Sequence, residues 1–414
     1  MKTREIGHQS LCQICKAPNL ESILDLGHQP VVQEYLTEKT LKEPEVTYPL
    51  NLVRCAECGL VQIDYIVDPK IVFPPDYPYR TGLTNMLIRN FLALADTLEK
   101  AYPWKKGDLI VDIGSNDGTL LNGFKAKGMK VLGVEPTGAA KVANKNGVET
   151  LETFFDKESV TKIIKKYGKA HIVTATNVFA HINDPRSLVK NIASILDKDG
   201  VFVSESQYLM DIVEKLEFDT IYHEHLRFYS LKPLMKLFEV AGLTVVDAEC
   251  IGAAGGSIRV YAMKGKRTQS KRVREIITAE EVAGLYDAKK LAVFANKVIN
   301  AKRDLVTLLL SLKKQGATLV GLSSAARSNT LLGFTKINGH ILDYLGEKSG
   351  SPKIGLYTPG THIPVVDEAR IFIDKPDYIV VLSWHIGQEL VKKMKELGYR
   401  GRFVIPLPVP TVVE

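Results

Sequence analysis

Residues 111–119 read Val-Asp-Ile-Gly-Ser-Asn-Asp-Gly-Thr, VDIGSNDGT, and this stretch decides the fold. It continues the apolar run DLIVDI, which has the composition of a buried strand. It turns through Gly114 and Gly118 and leads into TLLNGFKAKG, a helical pattern. A strand, a glycine turn and a helix make the first step of a doubly wound sheet, whose strand ends accept nucleoside-bearing ligands. The glycines are not spaced as G-x-G-x-x-G, which argues against a dinucleotide site. The next strand, MKVLGVEP, ends in Glu135, 17 residues beyond Gly118. A carboxylate at that strand end can accept hydrogen bonds from both hydroxyls of a ribose.

Outward from this turn the alternation continues. HIVTATNVF and GVFVSES read as further strands, with RSLVKNIASILDKDG as a helix between them and SIRVYAMKG closing the unit. Strands alternating with helices at this spacing imply a parallel sheet covered on both faces. Ahead of it, NMLIRNFLALADTLEKAY has helical periodicity, and the prolines of VFPPDYPYRTGLT (72–84) forbid a regular helix there. Behind it, residues 270–315 are charged and helical. ATLVGLSS, PDYIVVLSW and RFVIPLP then read as strands of a second, smaller α/β unit, with QELVKKMKELG as a helix. The expected organisation is a small domain at 1–75, the main α/β domain at 76–265, a helical connector at 266–315 and a Rossmann-like domain at 316–414.

The DIGSNDG turn followed by VEP resembles the S-adenosylmethionine site of class I methyltransferases. Asp112, Gly114, Ser115, Asn116, Gly118 and Glu135 are the matching cofactor positions. Asn177 and His181 follow the strand HIVTATN, where open α/β sheets bind ligands. Taken singly, Asn177 could be a helix cap and His181 a satisfied histidine.

The stretch IYHEHLRFY (221–229) crowds two histidines, a carboxylate and two tyrosines together. It could be a metal site, an acid–base site or a polar loop. His223 and His225 are two apart, whereas the zincin pattern needs them four apart on a helix. In an extended segment they would share one face, with Glu224 on the other. Ser230 is the expected N-cap of the helix that follows.

Four of the five cysteines form two pairs, Cys12–Cys15 and Cys55–Cys58, with 39 residues between the pairs. Two CxxC pairs in a segment too small for a self-sufficient core read as four thiolates around a structural zinc ion. Such a site leaves no coordination position open for substrate. Cys250 is expected to be a buried core residue.

Composition sets the class. The 414 residues are 45% hydrophobic, and no apolar run approaches the roughly 20 residues a membrane helix needs. The opening MKTREIGHQSLCQIC has no apolar h-region, so a cytoplasmic protein is expected, with no membrane partner. The net charge of +7 suits anionic ligands. It is too dispersed for a nucleic-acid-binding face. No long exposed apolar helix stands out, and a monomer is expected.

Taken in order, CxxC…CxxC, DYPY, DIGSNDGTLL, NVFAH, YHEH, GAAGGSIRVY and GLSSAARSNTLL resemble the sugar C-methyltransferases of deoxysugar biosynthesis across essentially the whole chain. The resemblance implies a class I methyltransferase sheet with a small N-terminal zinc-binding domain and a C-terminal Rossmann-like domain. It implies methyl transfer from S-adenosylmethionine to a ring carbon, C3 favoured, of a nucleotide-linked 4-keto-deoxysugar, with thymidine diphosphate as the expected nucleotide. His225 would be the base. Glu224 and Tyr222 would orient the sugar or tune the base, and Asn177 and His181 would hydrogen-bond the sugar or its developing oxyanion. Tyr77 or Tyr79 would close the pocket. Arg327, Ser328, Asn329 and Lys353 would contact the nucleotide diphosphate. At Ser323–Arg327 the chain departs from the family's turn, placing arginine where lysine is usual, which changes how phosphate would be held. Two rivals are a zinc-containing nucleic-acid methyltransferase and a non-catalytic nucleotide-sugar-binding protein. Dispersed charge opposes the first, and the retained proton-transfer set opposes the second.

Overall fold

The structure of the protein is a computed structural model, and the residues it describes are 6–74, 82 and 85–414. Tyr77 and Tyr79 lie outside the described residues. The N-terminal module contains β1 (Gly7–His8), β2 (Leu20–Gln29), β3 (Tyr48–Cys55), β4 (Val61–Ile63) and β5 (Tyr65–Ile66). β1 pairs with β5, while β2, β3 and β4 form an antiparallel ladder. Register shifts interrupt the pairing of β2 (LESILDLGHQ) with β3, and Gly27 within it takes a left-handed φ of 73°.

The main sheet is built from β6 (Leu109–Ile113), β7 (Lys130–Val134), β8 (Thr150–Leu151), β9 (Ala170–Thr176) and β10 (Leu196–Gln207). The chain then leaves it for β11 (Arg227–Phe228) and returns with β12 (Leu243–Ile251) and β13 (Ser257–Lys264). The strand order is β12-β13-β10-β9-β6-β7-β8. β8 to β10 are parallel to β6, and β13 is antiparallel to both its neighbours. The first strand therefore lies centrally, and the topological switch falls between β6 and β9, where such sheets bind ligands. The LDKDG stretch, expected to end a helix, instead opens β10; the helix stops at Ile195.

β11 does not join the main sheet. It pairs with β4 as the fourth strand of the N-terminal sheet, Arg227 opposite Gln62 and Phe228 opposite Val61. The residues just after the YHEH stretch are thus part of the cysteine module's sheet.

The C-terminal sheet comprises β14 (Leu319–Leu322), β15 (Leu345–Glu347), β16 (Val365–Asp367), β17 (Tyr378–Val381), β18 (Arg402–Ile405) and β19 (Thr411–Val413). Its order is β16-β15-β14-β17-β18-β19, parallel except for β19. This is a second doubly wound sheet, with its own switch between β14 and β17.

The helix Ala288–Lys314 joins the units. It buries Leu291, Phe294, Val298, Ala301, Leu305, Leu309 and Leu312 along one stripe. That stripe belongs to one apolar cluster with Leu24, Leu26, Leu50 and Leu52 of the N-terminal sheet, Phe218 and Ile221 of the main domain, and Leu331 and Leu332 of the C-terminal domain. Each buried leucine, valine, isoleucine or phenylalanine among them contributes roughly 1.5–3 kcal/mol. The N-terminal module therefore shares a core with the connector.

A second anchor is Glu280, fully buried on the helix Lys271–Ala283. It accepts from the Tyr208 hydroxyl at 3.0 Å, from Leu231 N at 2.7 Å and from the Tyr286 hydroxyl. Ser230 makes no side-chain cap bond, contrary to expectation; the Glu280 carboxylate receives the first N–H of that helix instead. Cys250 is exposed, where a buried core position was expected. No helix among the described residues is long and apolar enough to cross a membrane.

Candidate active site

The turn after β6 is shaped by three left-handed residues, Gly114 (φ 68°), Asn116 (φ 50°) and Gly118 (φ 81°). A Cβ on Gly114 would lie 2.2 Å from Val178 Cγ2, so only glycine lets this turn close against the segment after β9. Glu135, at the end of β7, is buried and accepts Asn116 N at 3.1 Å and Thr137 N at 2.8 Å. These two bonds fix its carboxylate beside the turn. Ser115 Oγ is buried with no hydrogen-bond partner among the described residues. Asp112 sits inside the sheet, where it accepts Thr174 Oγ1 at 2.7 Å, and burial pushes its carboxyl up to about 7. The glycine cradle, the fixed carboxylate and the partnerless hydroxyl fit an adenosyl cofactor with a ribose diol.

Beside this cradle, Asn177 takes φ 54°, a left-handed conformation that asparagine tolerates better than most residues. Its N–H donates to Glu205 O at 2.8 Å, which tucks the 177–182 segment over the ends of β9 and β10. Glu205 is fully buried and accepts Arg259 Nε at 3.0 Å, Arg259 Nη2 at 2.8 Å and Asn90 Nδ2 at 2.9 Å. The ion pair so ties the helix Asn85–Ala101 to the same strand end.

The YHEH stretch is a turn, not an extended segment; His225 N donates to Tyr222 O at 2.9 Å. The turn parts the two histidines that an extended reading put on one face. His223 points to the N-terminal module, its Nε2 3.1 Å from Pro49 O and its ring 5.8 Å from Tyr48. His225 packs instead against the segment after β9, its ring 4.9 Å from His181 and 4.1 Å from Tyr222.

Both of the paired histidines are oriented by carbonyls. His225 Nδ1 lies 2.7 Å from Thr220 O, and His181 Nδ1 lies 2.6 Å from Glu224 O. A carbonyl can only accept, so each Nδ1 carries the proton and each Nε2 keeps its lone pair. Burial lowers His181 to about 4 and takes His225 well below the ordinary histidine value, the neighbouring His181 adding to the second shift. Both rings are neutral near pH 7. Glu224 and Tyr222 are buried beside them. Thr220, whose carbonyl sets the His225 tautomer, carried no sequence signal.

The four cysteines converge. All four sulfurs lie within 4.8 Å of one another, with Cys12–Cys58 and Cys15–Cys55 at 3.5 Å. A tetrahedral ion with metal–sulfur bonds of about 2.3 Å needs sulfurs about 3.8 Å apart, so the set fits zinc.

Arg327 does not face an open anion site. It is buried, donating to Asp219 through Nε at 3.2 Å and Nη2 at 2.7 Å, with Glu217 at 3.3 Å. Two carboxylates neutralise it, and it clamps the C-terminal domain to the segment ahead of the YHEH turn. Ser328 is buried, its Oγ accepting Ala325 N at 3.2 Å, and Asn329 Nδ2 donates to Val32 O at 2.7 Å. Lys353, half-buried, donates to Ser324 O at 2.6 Å. At the switch of the C-terminal sheet, Ser324 N donates to Glu347 Oε2 at 2.7 Å. The bond repeats the Asn116–Glu135 arrangement of the main sheet.

The central strand order and the glycine cradle define a class I S-adenosylmethionine-dependent methyltransferase, and family models agree. A methyltransferase domain matches residues 86–248, a zinc binding domain matches 12–73 and a C-methyltransferase C-terminal domain matches 252–408. Together the three matched domains support an S-adenosylmethionine-dependent C-methyltransferase. It is 29% identical over 406 residues to C-methyltransferase NovU of Streptomyces niveus, covering 97% of this chain and 96% of that protein. It is also 29% identical over 162 residues to a ubiquinone biosynthesis O-methyltransferase of Aeromonas salmonicida, covering 34% of this chain and 65% of that one. A solved S-adenosylmethionine-dependent methyltransferase from Clostridium acetobutylicum is 13% identical, covering 43% of this chain and 92% of that one, with a TM-score of 0.36.

Proposed function

We propose that the protein methylates a ring carbon, C3 favoured, of a nucleotide-linked 4-keto-deoxysugar, with a thymidine diphosphate carrier. The observation that carries this reading is the pair of neutral histidines, His181 and His225, whose tautomers are fixed and whose rings lie 4.9 Å apart, His181 three residues after the Val178 that packs on Gly114 of the cofactor turn. A carbon–hydrogen bond becomes nucleophilic only when an adjacent ketone acidifies it, and the reaction needs a base within hydrogen-bond reach. His225 Nε2 takes the ring proton, and the electron pair moves onto the ketone oxygen. His181 Nε2–H is not available in this tautomer, so His181 accepts a sugar hydroxyl, while Asn177 donates to the developing oxyanion. Tyr222 and Glu224 hold the sugar and the base in register. Bound S-adenosylmethionine supplies an electrophilic methyl group to the resulting carbanionic carbon.

Asp112, Gly114, Ser115, Asn116, Gly118 and Glu135, with Asn177, hold the cofactor in this reading. Glu135→Gln is expected to weaken S-adenosylmethionine binding about tenfold to a hundredfold, since a hydrogen bond to a charged group is worth about 1.5–3 kcal/mol. Calorimetric titration checks this, and unchanged affinity removes Glu135 from the ribose role. The nucleotide diphosphate belongs at the switch of the C-terminal sheet, near Ser323, Ser324 and Lys353.

The test of the whole reading is a panel of nucleotide-linked 4-keto-sugars incubated with S-adenosylmethionine. A mass gain of one methyl on one sugar supports it. Transfer to RNA instead, lost at high salt, would favour the nucleic-acid methyltransferase.

A further inference from the structure

We propose that Gln13 and Arg227 form a positioning relay that carries the geometry of the cysteine module into the two active-site histidines. The proposal rests on the reading of His181 and His225 given above. Gln13 lies between Cys12 and Cys15 and is 3% exposed. Its N donates to Gln62 Oε1 at 2.8 Å and its Nε2 to Ile63 O at 3.1 Å. These bonds aim its Oε1 inward, where it accepts from Arg227 Nη1.

Arg227 is 1% exposed, among the largest fully buried side chains. Its Nε donates to the Tyr229 hydroxyl at 2.9 Å. Its Nη2 reaches the carbonyls of Phe179 and Ala180 at 3.3 Å each, and that of Ile182. Among the described residues no carboxylate pairs with this guanidinium. A buried cation held by neutral oxygens alone is costly unless its donors are satisfied. A planar fork can satisfy them together where an ammonium cannot.

The partners give the arrangement its meaning. The three carbonyls surround His181, and Arg227 itself follows His225 by two residues. The Arg227 side chain therefore ties the backbone around His181 and the loop between two zinc ligands to the strand that begins two residues after His225. Two further bonds run in parallel. Leu226 N donates to Ala180 O at 3.1 Å, and Arg186 Nη1 donates to Ile14 O at 2.8 Å. The tautomer-setting bonds, His225 to Thr220 and His181 to Glu224, join the segment this relay holds around His181 to the turn that leads into Arg227. Arg227 reaches no reacting atom on this account; it acts through the two histidines.

The test uses the full-length, zinc-loaded protein carrying Gln13→Ala or Arg227→Lys. Zinc content and S-adenosylmethionine affinity are expected to stay at wild-type values. The ring resonances of His181 and His225 in 15N-histidine spectra are expected to move. kcat should fall about a hundredfold, the effect of misplacement by about 1 Å, with KM changed less than about threefold. Gln13→Glu, which returns an acceptor to Arg227, should recover most of the lost kcat. If Gln13→Ala does not fold, Gln13→Met fills the same space without an acceptor and gives the same readout. Unmoved histidine resonances overturn the relay. Moved resonances with unchanged kcat overturn the positioning role. Should wild-type protein turn over no sugar in the panel, the substrate reading fails, and the resonances alone decide the relay.

Discussion

His225→Ala is expected to lower methyl transfer by about a hundredfold to ten-thousandfold, the range for loss of a positioned general base, with S-adenosylmethionine affinity unchanged. The two effects separate because the cofactor cradle is built from the turn after β6 and from Glu135, while His225 is held from elsewhere, by Thr220 O at 2.7 Å. Unchanged turnover would remove His225 from the base role. The pH dependence follows from the same burial. The reactive form is the neutral ring, and burial holds the protonated form of His225 well below its ordinary value. The acidic limb of kcat/KM is therefore expected below pH 6.5, and a limb above that value would contradict the assignment. Stability shares the direction. Below about pH 6.5 the unfolded histidines take up protons, while His181 and His223 stay neutral in the fold down to about 4. Their contribution is complete above pH 6.5 and is lost as the pH falls from there toward 4, which thermal melts across that range will show.

The second large effect is expected from Cys55→Ser. The wild-type chain should hold about one zinc ion, and the variant should lose it. Structural zinc binding is worth roughly 10–16 kcal/mol in isolated fingers, and this free energy is coupled to folding. Cys55 ends β3, which pairs with β2 and β4, and β4 in turn holds β11. Loss of the ion should therefore loosen the strand that follows His225 as well as the module itself, seen as a lower melting temperature and greater hydrogen exchange in β3, β4 and β11. Metal analysis that finds no zinc in folded wild-type protein would remove the zinc assignment.

What could be read from the sequence was local. The glycine turn and Glu135 are legible because backbone conformation dictates glycine and the strand end dictates where the carboxylate falls. The cysteine pairs are legible because two short spacings suffice to gather four sulfurs. The YHEH stretch announced its chemistry but not its shape. Its turn depends on Thr220, and the departure of His223 depends on Pro49, 174 positions away. Arg327 was expected at the phosphates on the family resemblance alone; its carboxylate partners Asp219 and Glu217 lie in another domain. Arg227 stood in the same quoted stretch and drew no role, because every partner that gives it one, Gln13 and the carbonyls around His181, is brought to it by tertiary folding.

The most direct test of the central claim is solvent deuterium exchange into nucleotide-linked 4-keto-sugars with S-adenosylhomocysteine bound, so that no methyl can move. The account predicts exchange at one ring carbon, C3 favoured, in the wild type and none in His225→Ala. Exchange that persists in His225→Ala would contradict the assignment of the base.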